Sequence, residues 1–106
     1  MTRFRFDRFI VDTDRSELVG PDGARSVEPQ VFAVLCHLVA AGDRLVTKEE
    51  LLDAVWGDRF VSESALTTRI KQVRRVLDDD GRTQWAVRTV HGRGYRFLPA
   101  VTVIGG

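Results

Sequence analysis

The chain's most distinctive chemistry lies between residues 64 and 75. Ser64, Thr68, Lys71, Gln72 and Arg75 recur at helical spacing, with Arg69 and Arg74 on their flanks and no carboxylate among them. Guanidinium and ammonium groups neutralise phosphate, a glutamine amide can pair with adenine, and hydroxyls serve either purpose. A second basic feature, Arg93, lies between two glycines in His91-Gly92-Arg93-Gly94. Small residues around an arginine suit insertion into a narrow groove.

Other chemistries find no footing. Cys36 and His37 are neighbours on an expected helix, about 100° apart around its axis, so they do not face each other as nucleophile and base. Asp78-Asp79-Asp80 lacks the alternating ligands and closing glutamate of a calcium loop and reads as a solvated helix end. His91 has no second His or Cys at ligand spacing. Gly92-x-Gly94 sits in a hairpin, not between a strand and a helix. The sequence therefore predicts no enzyme, no metal and no cofactor.

These residues need elements to position them. Residues 3–28 alternate as short strands, with Phe4 and Phe6 set among Arg3, Arg5 and Asp7, and with turn chemistry at Gly20-Pro21-Asp22-Gly23. After Pro29 the period becomes helical: Val31, Val34, Leu35, Leu38 and Val39 predict a first helix over about 29–41. Leu45-Val46 reads as an extended link. Thr47-Lys48-Glu49-Glu50 has the capping-box pattern, opening a second helix over 48–56. Ser62 or Ser64 caps a third, over 63–78, whose Leu66, Ile70, Val73 and Leu77 form one apolar stripe. A hairpin over 84–98 follows, with His91–Gly94 at its tip. Residues 1–100 read as one domain and 101–106 as either a final strand or the start of a linker.

Charge agrees with this division. The 106 residues carry a formal +1, which alone argues against a nucleic-acid binder. Residues 64–98 hold eight bases and three acids, a net +5, while residues 1–63 hold eight bases and twelve acids, a net −4. One basic half implies one anionic partner surface. With 43% hydrophobic and 29% charged residues the composition is that of a globular domain. No apolar run nears the roughly 20 residues of a membrane span, and the single cysteine points to a reducing cytoplasm.

Val55-Trp56-Gly57, the stretch Val61 to Lys71, and Arg88-Thr89-Val90-His91-Gly92-Arg93-Gly94-Tyr95-Arg96-Phe97 resemble the OmpR/PhoB-type winged helix. The resemblance implies an α+β fold: an amino-terminal antiparallel four-stranded sheet, a three-helix core and a carboxy-terminal β-hairpin wing. It implies sequence-specific binding to double-stranded DNA, with the third helix in the major groove and the wing in the minor groove. Ser64, Thr68, Arg69, Lys71, Gln72, Arg74 and Arg75 would serve on the helix, and Thr89, His91, Arg93 and Tyr95 on the wing. Trp56 would pack near the DNA backbone while anchoring the core. Asp58, Arg59 and Phe60 would form a loop that meets RNA polymerase, and two copies would bind repeated half-sites.

Two positions depart from the family pattern. His91 stands where many members have a groove-entering arginine, which shifts that contact toward Arg93. Gln72 stands where an arginine often reads bases, so the preferred DNA sequence should differ from that of other members. Met1 leading directly into strands suggests the ToxR/CadC-type order, with the DNA-binding domain first. The alternative reading is a winged helix that docks on an acidic protein or on polymerase through the same basic half.

Overall fold

The computed structural model describes residues 2–57 and 61–105. The chain begins with four short strands, β1 (Thr2–Phe6), β2 (Phe9–Asp12), β3 (Glu17–Gly20) and β4 (Gly23–Arg25). Then come α1 (Pro29–Ala41), β5 (Val46–Thr47), α2 (Lys48–Trp56) and α3 (Glu63–Val76). β6 (Val87–Val90) and β7 (Gly94–Phe97) form a hairpin, and β8 (Thr102–Gly105) is last.

The strands form two antiparallel sheets, ordered β4-β3-β2-β1-β8 and β5-β7-β6. The amino-terminal sheet thus has a fifth strand, supplied by the tail, which lies beside β1 with Val103 opposite Phe4 and Ile104 opposite Arg3. Val101-Thr102-Val103-Ile104 is β-branched and uncharged, which suits it to pair with an otherwise open edge. The link before α2 likewise becomes a strand, with Val46 opposite Tyr95 and Thr47 opposite Gly94. That pairing needs glycine, because a Cβ at position 94 would overlap the Val46 carbonyl oxygen and the Thr47 backbone.

The core lies between the amino-terminal sheet and the helices. Phe6, Val11 and Leu18 from the sheet meet Val34, Leu35 and Leu38 of α1, Leu51 of α2, and Leu66, Ile70 and Val73 of α3. Phe6 also meets the wing, its ring edge-on to Phe97 with centroids 4.9 Å apart. Each such side chain contributes ~1.5–3 kcal/mol by leaving water. Arg25 ties the sheet to the end of α3. It donates to the Val76 carbonyl at 2.8 Å, pairs with Asp78 at 3.0 Å and with Asp22 at 3.2 Å, and lies 5.2 Å above the Phe9 ring.

At the start of α2 only half of the capping box forms. Thr47 Oγ1 accepts from the Glu50 amide at 3.1 Å. The Glu50 carboxylate does not return to Thr47. It takes Arg44 at 2.9 Å through both oxygens and His37 at 2.6 Å, stapling α1 to α2. These hydrogen bonds, Arg44's first and then His37's, hold Glu50 down to about 2. A guanidinium nearby outcompetes a neutral backbone amide for a carboxylate.

Candidate nucleic-acid interface

The apolar residues of α3 follow the spacing i, i+4, i+7, as Leu66, Ile70 and Val73, and all three are buried. Ser64, Thr68, Lys71 and Arg75 repeat that spacing two residues earlier, which turns them about 200° away. All four are exposed. Thr68 satisfies its hydroxyl within the helix, donating to the Ser64 carbonyl at 2.9 Å, and Ser64 Oγ lies 3.0 Å from Ser62 Oγ. Lys71 and Arg75 form no ion pair among the described residues. The exposed face is thus positive and uncompensated. The only acid of α3, Glu63, stands at its first turn and pairs with Lys48 at 3.3 Å.

Arg69 and Gln72 are placed differently. Arg69 Nε donates to Oε1 of Gln30, at the start of α1, at 3.2 Å. Its Nη1 donates to Oε1 of Gln72 at 2.9 Å. Both side chains are part-buried and lie at the edge of the exposed face.

Arg74 turns toward the wing. Nε and Nη2 donate to the Val87 carbonyl at 3.1 and 3.0 Å, and Nη2 also donates to Thr89 Oγ1 at 2.7 Å. Gln84 braces the same strand, accepting from the Thr89 amide at 2.9 Å and donating to the Gly81 carbonyl at 3.0 Å. Beneath both lies Asp79, the only buried charged residue among those described, 5% exposed. Its carboxylate accepts from the amides of Gly81 at 3.0 Å, Ala86 at 3.1 Å and Val87 at 3.2 Å. The expectation of a solvated Asp78-Asp79-Asp80 therefore holds for Asp78 and Asp80 but not for Asp79. Three amides replace its water, which is what a buried carboxylate requires. Asp80 folds the loop instead, accepting from Arg82 N, Thr83 N and Thr83 Oγ1 at 2.9 Å each. An open cleft of about 740 Å³ runs between this loop and Lys71, Arg74 and Arg75.

The wing tip is a turn closed by the Arg93 amide on the Val90 carbonyl at 3.0 Å. Gly92, at its third position, has φ +74°, the geometry that a type II turn reserves for glycine. The Arg93 carbonyl accepts from Lys48 N at 3.2 Å, so the tip rests on the first turn of α2. The side chains of His91 and Arg93 are exposed. Trp56, 9% exposed, and Tyr95, 5% exposed, belong to the core and offer a partner little more than an edge. Asp58, Arg59 and Phe60, the expected polymerase-contact loop, lie outside the described residues. Burial pushes the Cys36 thiol up to about 11, which removes the thiolate a nucleophile needs.

Sequence reasoning missed Asp79, Gln84 and Gln30. Nothing local separates Asp79 from its two acidic neighbours, since its partners lie two to eight residues downstream.

The sequence profile of the family described as "Transcriptional regulatory protein, C terminal" matches residues 23–97. The transcriptional regulator HilA of Salmonella typhi is 39% identical over 102 residues, 96% of this chain but 18% of HilA. The phosphate regulon regulatory protein PhoB of Klebsiella pneumoniae is 28% identical over 88 residues, covering 82% of this chain and 38% of PhoB. The chain therefore spans only a fraction of these relatives. Among solved structures, the DNA-binding domain of E. coli CadC superposes with a TM-score of 0.83 at 22% identity, covering 96% of both chains. The Klebsiella pneumoniae RstA DNA-binding domain, solved in complex with the RstA box, gives 0.82 at 18% identity, with 91% and 96% covered.

Proposed function

The chain belongs to the OmpR/PhoB-type family of transcription-regulator DNA-binding domains, and from that premise we propose that it binds double-stranded DNA sequence-specifically through α3 and the wing. The carrying observation is the exposed stripe Ser64, Thr68, Lys71 and Arg75, which bears no acid and two cations without an ion pair among the described residues. A helix of this width and sign fits the major groove. Lys71, Arg75 and the free donors of Arg69 reach phosphate, while Thr68, Lys71 and Gln72 face base edges. The exposed tip, His91 and Arg93, fits the adjacent minor groove. Arg74 and Thr89 hold each other, so their part in binding is to aim the wing.

The test is a gel-shift titration against a pool of random duplexes at two salt concentrations. Binding should weaken steeply with salt and favour a subset of duplexes. Lys71→Ala should weaken binding to every duplex and lower the salt slope by about one. Binding that ignores both salt and sequence would remove the proposal and favour docking on an acidic protein. Two copies on repeated half-sites would register as a second, cooperative shift on the selected duplexes.

A further inference from the structure

Gln72 stands at the edge of the proposed reading face, and its amide is not free to turn. Arg69 Nη1 lies 2.9 Å from one terminal atom of that amide, and arginine has donors only, so the atom it faces must be the oxygen. Arg69 is held in turn by Gln30 of α1, whose oxygen faces Nε at 3.2 Å for the same reason. The relay Gln30–Arg69–Gln72 turns Oε1 of Gln72 toward Arg69 and fills one of its two lone pairs, while the NH2 group has no protein partner among the described residues. Reading adenine in two-point fashion needs that oxygen turned to the base instead, where it must accept from the adenine N6 amino group while the nitrogen donates to N7. Guanine shows two adjacent acceptors, O6 and N7, and cytosine shows only a donor.

We propose that Arg69, fixed by Gln30, is a specificity-determining residue that orients Gln72 to select guanine over adenine at one base pair of the bound DNA. This rests on the proposed placement of α3 in the major groove. Arg69 acts here through Gln72 as a positioning residue, while its Nη2 stays available to phosphate.

The test is selection of bound duplexes from a random pool, with sequencing, for the wild type and four variants. In the wild type one position should favour guanine over adenine by roughly tenfold, the size of one good two-point contact. Gln72→Ala should flatten that position alone. Arg69→Met and Gln30→Ala should free the amide oxygen and move the same position toward adenine, the first more than the second. Gln72→Glu, which offers only acceptors, should move it toward cytosine. Thermal melting of each variant identifies any that fail to fold, and Gln30→Ala, a change remote from the face, keeps the test alive if Arg69→Met does so. A Gln72-dependent position that favours adenine in the wild type, or one that ignores both Arg69→Met and Gln30→Ala, overturns the relay while leaving DNA reading intact. If Gln72→Ala changes no position, the placement of α3 itself is wrong at this residue.

Discussion

The amino-terminal sheet and the wing are both small antiparallel sheets packed on the same three helices, yet they are held by different forces. β1 to β3 are seated by burial: Phe6, Phe9, Val11 and Leu18 are at most 3% exposed, and the Arg25 clamp is added at one corner. The wing buries Val87, Tyr95 and Phe97, but its angle to α3 is set by directional bonds from Arg74, Gln84 and Asp79. Burial is non-directional and tolerates small rotations. Hydrogen bonds are not so tolerant, since they weaken steeply once bent. A region that must meet a neighbouring groove at one angle is thus fixed by the stricter interaction, and a region that completes the core by the looser one.

The largest effect that probes this contrast comes from the sheet. Phe6→Ala removes a ring that is 1% exposed and bridges to Phe97. It should cost ~3–5 kcal/mol of stability in urea unfolding. Base preference in the remaining folded protein should be unchanged. A shift in that preference would mean that the sheet, too, sets the reading geometry.

Asp79→Ala follows. It orphans three amides at the root of the wing, at a cost of ~3 kcal/mol. Unlike Phe6→Ala, it should also weaken DNA binding of the folded fraction, because β6 loses its anchor. Asp80→Ala, one residue on and exposed, should cost less, because the loop amides it frees reach water, and should leave DNA binding unchanged. If the two aspartates behaved alike in unfolding and gel shift, the buried carboxylate would not be what holds the wing.

This pair marks how far the sequence could be read. Periodicity and turn chemistry exposed the three helices and the hairpin, because those signals are local. Leu66, Ile70 and Val73 declare one face of α3, and Gly92 permits the tip turn. Side-chain partners are non-local. Arg74 and Arg75 are identical in sequence terms, but 74 lies on the wing side of the helix, 13 residues from its acceptor Val87, and 75 on the open side. The cap at Thr47 was visible, whereas the turn of Glu50 toward His37 and Arg44 depends on how α1 and α2 cross. The strand pairing of β8 with β1 joins opposite ends of the chain, and the alternation of the tail alone leaves its partner open.

Arg74→Met tests the angle itself. The methionine keeps much of the apolar stem while removing the bonds to Val87 and Thr89. The wing, no longer held, must be ordered at the moment of binding. In a double-mutant cycle on a selected duplex, the loss caused by Arg93→Ala should therefore shrink in the Arg74→Met background, with a coupling of ~1 kcal/mol. Strict additivity would show that the wing keeps its angle without Arg74.

The smallest effect concerns the ground on which the wing tip rests. The Arg93 carbonyl sits on the first turn of α2, and Glu50 in that turn is held to about 2 by Arg44 and His37, against 4.5 for the free group. A carboxyl whose folded value is depressed stabilises the fold fully above its unfolded value and loses that contribution as pH falls. The Tm difference between wild type and Glu50→Gln should thus be constant above about pH 5 and narrow between pH 4.5 and 2. The wild type alone should show the steeper acid decline, because a glutamine does not titrate in that window. Parallel Tm curves across that window would mean that the bonds of Glu50 do not stabilise the junction, and the wing would then be held at its root alone.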